Sequence, residues 1–142
     1  MEANRLRRSS LNMKLLVDSS FLIYCAEKGR DFISLAEQTL GEKLECYVLE
    51  EVLAELRKLA SKKGKRGALA SVGLRIAEKM KVVRSSLPED MNTDQKLLEE
   101  SKRLKMVLAT VDGGLINKAR EQGLPILTVK KDQSILFMGV VD

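Results

Sequence analysis

No histidine and no tryptophan occur in this 142-residue chain. Without histidine, serine–histidine triads, histidine general bases and histidine metal sites are all excluded. The two cysteines, Cys25 and Cys46, are too far apart for a local CxxC and too few for a structural zinc site. They read as core thiols. Three Phe and two Tyr supply no base-stacking platform of the kind single-strand binders use. Neither GxxxxGK(S/T) nor GxGxxG is present, which removes the usual phosphate-cradling loops. The longest apolar run, Phe21–Ala26, falls far below the ~20 residues a membrane span needs. Arg5, Arg7 and Arg8 lead into polar residues, so a secretory leader is not expected and a cytoplasmic location is. Carboxylates, lysines, hydroxyls and hard metal ions are what remain for catalysis.

What is present suffices for one globular domain. Apolar residues make up 44% of the chain, and a chain of this length buries roughly 68–70% of its unfolded surface. Residues 1–12 carry no apolar period and read as a tail, while residues 13–142 read as a single domain without repeat or linker. Short apolar runs predict strands at Lys14–Val17, Glu45–Val48, Lys81–Arg84, Met106–Val111 and Pro125–Val129, with Ile135–Val141 a further strand at the sheet edge. Helical spacing predicts helices over Phe21–Glu27, 32–40, 49–59, Ala68–Met80, Met91–Arg103 and Gly113–Gln122, with Gly64 and Gly67 both interrupting the chain after the third. Apolar strands alternating with helices indicate an α/β fold, a three-layer α/β/α sandwich around a mainly parallel sheet.

Net charge is +5 and the pI is about 9.3, which suits a polyanionic partner without demanding one. The distribution is more telling than the total. From Arg57 to Ala77 no acidic residue occurs, while Arg57, Lys58, Lys62, Lys63, Lys65, Arg66 and Arg75 are basic. This is either a solvated helix end and loop or a patch that tracks phosphates.

In open parallel sheets, sites form beyond the carboxyl ends of the strands. Asp18 follows the first strand, Asp112 follows the MVLATV strand, Asp94 opens the helix after the third strand, and Glu55 borders the apolar stripe of the helix after the second. Each alone has an ordinary explanation. Aspartates cap helices, and Glu55 could pair with Lys58 one turn on, for about 0.2–0.5 kcal/mol. Periodicity does not separate Glu55 from Glu51, one turn earlier. Four carboxylates on one sheet edge in a basic, histidine-free chain are harder to explain as caps. Clustered carboxylates resist ionising together without a cation. An oxygen-only ligand set suits Mg²⁺ or Mn²⁺, ions that support phosphodiester hydrolysis.

The segments carrying these residues resemble the motifs of PIN-domain nucleases. VDSSFLIY (Val17–Tyr24) resembles the first motif, VLEEVLAEL (Val48–Leu56) the second, NTDQKLLE (Asn92–Glu99) the third and ATVDGGL (Ala109–Leu115) the fourth. In the second motif the resemblance points to the final glutamate, Glu55. The KKGKRGALA stretch and the PILTVKKDQSILFMG ending look most like archaeal relatives of ribosome-processing PIN nucleases, with VapC-type toxins next. Gly113-Gly114 departs from the polar pair that often follows the fourth aspartate and leaves Asp112 without an acidic neighbour.

The resemblance implies a five-stranded parallel sheet and a Mg²⁺- or Mn²⁺-dependent endoribonuclease that cleaves single-stranded RNA, its partner being single-stranded or structured RNA with pre-rRNA among the candidates. Asp18 and Asp94 would hold the metal directly, Glu55 and Asp112 would complete the shell or position the attacking water, and Ser19 or Thr110 would orient the carboxylates. Products would carry 5′-phosphate and 3′-hydroxyl ends. Lys62, Lys63, Lys65 and Arg66 would follow the RNA backbone. A homodimer is compatible with this reading, as is an antitoxin partner if the protein is of the toxin type. Two rivals are a non-catalytic RNA-binding ribosome-assembly factor and a phospho-acceptor receiver domain. The receiver explains Lys130, but it needs an acidic pair where only Asp18 stands and an acceptor aspartate where Ser85-Ser86 stands.

Overall fold

Strand β1 (Met13–Val17) lies inside a six-stranded sheet of order β3-β2-β1-β4-β5-β6, in a computed structural model that describes residues 13–139. The other strands are β2 (Leu44–Leu49), β3 (Lys81–Val83), β4 (Val107–Ala109), β5 (Ile126–Val129) and β6 (Ile135–Met138). Neighbours from β3 to β5 are parallel, with Val17 opposite Ala109 and Leu49 opposite Val83, and β6 pairs antiparallel to β5. The resemblance implies five strands. The sixth is the Ile135–Met138 segment, which a short turn at Lys130–Ser134 folds back onto the edge. The expected tail, 1–12, and the last residues of the expected final strand lie outside the described residues.

The helices are α1 (Ser19–Lys28), α2 (Phe32–Leu40), α3 (Glu50–Ala60), α4 (Lys65–Ala77), α5 (Thr93–Leu104) and α6 (Gly113–Glu121). Consecutive residues are buried along the central strands, as in Leu15-Leu16-Val17, Val107-Leu108-Ala109 and Ile126-Leu127. Side chains alternate between faces along a strand, so both faces are covered and the arrangement is α/β/α. Helices α1, α3 and α4 pack on one another, α5 against β4 and α6 against β5. Among the described residues no helix is long and apolar enough to cross a membrane.

One helix differs from its sequence pattern. Gly64, at φ 97°, breaks the chain, but Gly67 does not: it sits in the first turn of α4, which therefore starts at Lys65 rather than Ala68. A Cβ on Gly67 would collide with the Lys62 carbonyl oxygen. The glycine is there to let that backbone come close, not to end a helix. At the other end, residues 78–80 leave the helix in a turn, the Met80 amide donating to the Ala77 carbonyl at 2.9 Å.

The chain leaves β1 toward β2 on one side of the sheet, and β4 and β5 extend the other. The boundary between β1 and β4 is thus the point where strand order reverses, and ligands of open α/β sheets bind outside the carboxyl ends of such a pair. Asp18 and Thr110 are the first residues beyond those two ends.

Candidate functional site

Asp18 stands at the N-cap position of α1 with extended backbone, yet its side chain makes no capping bond to the helix. Its backbone amide instead donates to the Ala109 carbonyl at 2.9 Å, tying the ends of β1 and β4. The residue is only 6% exposed. Ser20 Oγ donates to Asp18 Oδ2 at 2.7 Å and Thr110 Oγ1 donates to the same oxygen at 2.8 Å. Burial raises the Asp18 pKa above the ordinary range; the Ser20 and Thr110 hydroxyls pull against that, and the nearby Glu55 charge adds to it.

The hydroxyls continue the network. Ser20 Oγ and Thr110 Oγ1 are 3.1 Å apart, Ser20 Oγ accepts from the Val111 amide at 3.2 Å, and Thr110 Oγ1 accepts from the Asp112 amide at 3.0 Å. On the other side, Ser19 Oγ donates to Glu55 Oε1 at 2.5 Å. Ser19 thus engages Glu55 and Thr110 engages Asp18. Ser20, which the sequence pattern does not single out, joins both strand ends. A hydroxyl two residues after an aspartate is the one local signal that could have found it.

The ordinary explanations separate here. Glu55 is exposed and forms no ion pair with Lys58; it takes the Ser19 hydroxyl. Glu51 is engaged elsewhere, its Oε2 accepting from Lys96 Nζ at 2.7 Å, so the two glutamates that periodicity leaves equivalent have different surroundings. Asp94 is not a cap, because Asn92 occupies that position and accepts from the Gln95 amide at 2.8 Å. Asp112 is a cap: Oδ1 accepts from the Gly114 amide at 2.9 Å and, more weakly, from Leu115 at 3.4 Å. The cap engages only one of its two carboxylate oxygens.

Asp94 connects the set electrostatically. Its pKa is raised, first by partial burial, then by the charges of Asp18 and Asp112, while Lys118 acts in the opposite direction. The first turn of a helix favours a carboxylate by about 0.3–1 kcal/mol, so burial and like charge outweigh that preference. Among the described residues, no three acidic or thiol side chains stand close enough to hold one ion between them. The donor set still fits a hard cation. It is oxygen-only, it repels itself, and Mg²⁺ ordinarily takes one or two carboxylates and fills the rest of its shell with water and phosphate oxygens.

Lys62, Lys63, Lys65 and Arg66 are all exposed, in the α3–α4 turn and the first residues of α4. Lys62 follows Glu55 by seven residues, about two helical turns or ~10 Å. Cys25 and Cys46 are free thiols, and burial raises both pKa values, that of Cys46 to about 12.

Comparison with known proteins places the chain in a family. Residues 15–132 match the family described as "PIN like domain". Ribonuclease VapC9 of Archaeoglobus fulgidus is 28% identical over 143 residues, covering 100% of both chains. Ribonuclease VapC4 of Methanocaldococcus jannaschii is 26% identical over 132 residues, 90% of this chain and 98% of that one. Among solved structures, the PIN domain endonuclease Utp24 is similar with a TM-score of 0.72 and 26% identity, over 91% of this chain and 93% of the other. The matched range spans the positions of Asp18, Glu55, Asp94 and Asp112. The chain belongs to the PIN like domain family, in the PIN-domain nuclease superfamily, with VapC-type ribonucleases among its relatives.

Proposed function

We propose that the protein is a divalent-metal-dependent endoribonuclease that cleaves single-stranded RNA, with ribosomal RNA processing as its role. The observation that carries this reading is the buried Asp18 at the β1/β4 switch point, with Glu55 close enough to raise its pKa and Asp94 in turn affected by the charges of Asp18 and Asp112. A bound Mg²⁺ or Mn²⁺ would let these groups ionise together and would activate water for attack on phosphorus. Asp18 and Asp94 would hold the ion directly, and Glu55 and Asp112 would complete its surroundings. The protein's own part is orientation. Ser20 and Thr110 fix one oxygen of Asp18 and leave Oδ1 without a hydroxyl donor, and Ser19 holds one oxygen of Glu55. The Lys62–Arg66 turn would follow the RNA backbone.

Asp18→Asn tests it. Asparagine keeps the shape and can still accept both hydroxyl bonds, so the fold should survive while divalent-dependent cleavage of single-stranded RNA is lost. Unchanged cleavage by the purified variant, with contaminating nuclease excluded, would reject this site. Wild-type protein that binds RNA but never cleaves it with either ion would favour a non-catalytic assembly factor.

A second reading shares the chemistry and differs in role. Both VapC relatives align over 98% or more of their own length, which supports a toxin ribonuclease held by an antitoxin. A small partner encoded in the neighbouring reading frame that co-purifies with the protein and blocks cleavage would favour the toxin.

A further inference from the structure

Hydrogen bonds engage the other three acidic residues in two sets: Glu55 with Ser19, and Asp18 with Ser20 and Thr110, whose hydroxyl also accepts from the Asp112 backbone amide. Asp94 belongs to neither set. No hydrogen bond contributes to its pKa, and its helix, α5, follows β3 only after a nine-residue connection, 84–92. Buried Leu97 and Leu98 seat α5 on the sheet, and the tie between α5 and α3 is polar.

Lys96 is two residues further along α5, so it falls nearly opposite Asp94 around the helix. It is 4% exposed, and its ammonium lies 2.7 Å from Glu51 Oε2 on α3. Glu51 precedes Glu55 by four residues and shares its face of α3. Among the described residues this is the one ion pair or side-chain hydrogen bond that joins α3 to α5. The pair is costly as a source of stability. It removes a lysine from water, and Glu51 Oε1 is buried with no partner among the described residues; such pairs can often be replaced by apolar residues at no loss. Its placement accounts for it better: it couples the helix of Glu55 to the helix of Asp94 from the buried side.

Resting on the nuclease reading above, we propose that Lys96 and Glu51 are positioning residues that set Asp94 relative to Asp18 so that the two can hold a divalent cation, with Glu55 and Asp112 around it. They touch neither RNA nor the ion. Their removal acts through Asp94.

The test uses the full chain with the apolar double variant Glu51→Leu/Lys96→Met, read by metal-free melting temperature, Mn²⁺ titration calorimetry and steady-state cleavage. The expected result is a melting temperature equal to or above wild type, with Mn²⁺ affinity weakened ~10–100-fold, the range seen when groups that orient metal ligands are removed. The rate kcat should fall while KM for RNA holds. A folded double variant with wild-type Mn²⁺ affinity and kcat overturns the proposal. Glu51→Gln guards against misfolding: it keeps the size and an acceptor for Lys96, and it should weaken Mn²⁺ binding by less than the double variant. Wild-type affinity in the folded Glu51→Gln protein also counts against the proposal. Wild-type protein that neither binds Mn²⁺ nor cleaves RNA overturns the nuclease reading itself, and the positioning role with it.

Discussion

Thr110 does two things with one hydroxyl: it donates to Asp18 Oδ2 and accepts from the Asp112 amide. It is fully buried and Asp18 is nearly so, leaving the Asp18 oxygen little water to turn to in its place. Thr110→Val keeps the shape and removes both bonds. At neutral pH it should destabilise the protein by about 1–3 kcal/mol, the cost of leaving buried polar groups unmatched; chemical denaturation would measure this. Because the Thr110 hydroxyl is one of the groups holding the Asp18 pKa down, the variant's Asp18 should titrate at higher pH than wild type, readable from its carboxyl carbon shift. Loss of stability without any change in that titration would mean the Thr110–Asp18 bond is not formed in solution. The candidate acidic residues can be named from the sequence because a hard cation calls for carboxylates, and Glu55 is set apart from Glu51 there only by the family resemblance. Which hydroxyl orients which carboxylate is not legible there: Ser19 and Ser20 are adjacent hydroxyls, and only the helical turn after Asp18 decides which one reaches Glu55 and which one reaches Asp18.

At the scale of elements, strand ends are easier to read than helix ends. Runs such as Leu15-Leu16-Val17 must be buried on both faces, whereas α4 starts where a backbone approach allows it. Gly67 looks like a breaker by composition, and its function depends on the Lys62 carbonyl five residues before it. The buried Lys96 leaves no trace in the apolar pattern either, since its partner is on another helix. Gly→Ala inside a helix ordinarily stabilises by roughly 0.5–1 kcal/mol. Gly67→Ala should do the reverse, because the Lys62 carbonyl oxygen occupies the place of the new Cβ and has to move; overpacking of this kind costs about 1–3 kcal/mol. A thermal melt gives the sign directly. The same turn presents the basic side chains. Replacing Lys62, Lys63, Lys65 and Arg66 by alanine should weaken RNA binding and flatten its salt dependence. The log–log slope should fall by roughly 0.7 for every phosphate of a single strand that is no longer neutralised. An unchanged slope would make these residues a solvated turn and nothing more.

Across the whole molecule, topology sets where the candidate residues fall. Asp18 and Asp112 follow the ends of β1 and β4, and Glu55 and Asp94 come from the helices after β2 and β3. Proximity of such carboxylates has a thermodynamic signature that requires no substrate. Asp18 and Asp94 both have folded pKa values above their ordinary ones. Stability from such groups is fully present below the unfolded pKa and is lost as pH rises through the folded one. Other carboxylates act in the opposite sense, Glu45 through the Tyr47 hydroxyl and Asp132 through the Ser134 hydroxyl, so the wild-type curve alone is a mixture. Comparison with Asp94→Asn isolates one group. Without metal, the variant should melt higher than wild type near neutral pH, and the difference should vanish once the pH falls below the ordinary carboxylate range. A bound cation reverses the penalty and adds RT ln(1 + [L]/Kd), about 2.7 kcal/mol at a hundredfold excess over the dissociation constant. Mg²⁺ or Mn²⁺ should therefore raise the wild-type melting temperature, and this increment should shrink sharply in Asp94→Asn. A carboxylate acting only through the dipole of α5 gives the other sign, since losing it costs about 0.3–1 kcal/mol and leaves any metal effect unaltered. A variant with lower metal-free stability and the full metal increment would remove Asp94 from the shared site.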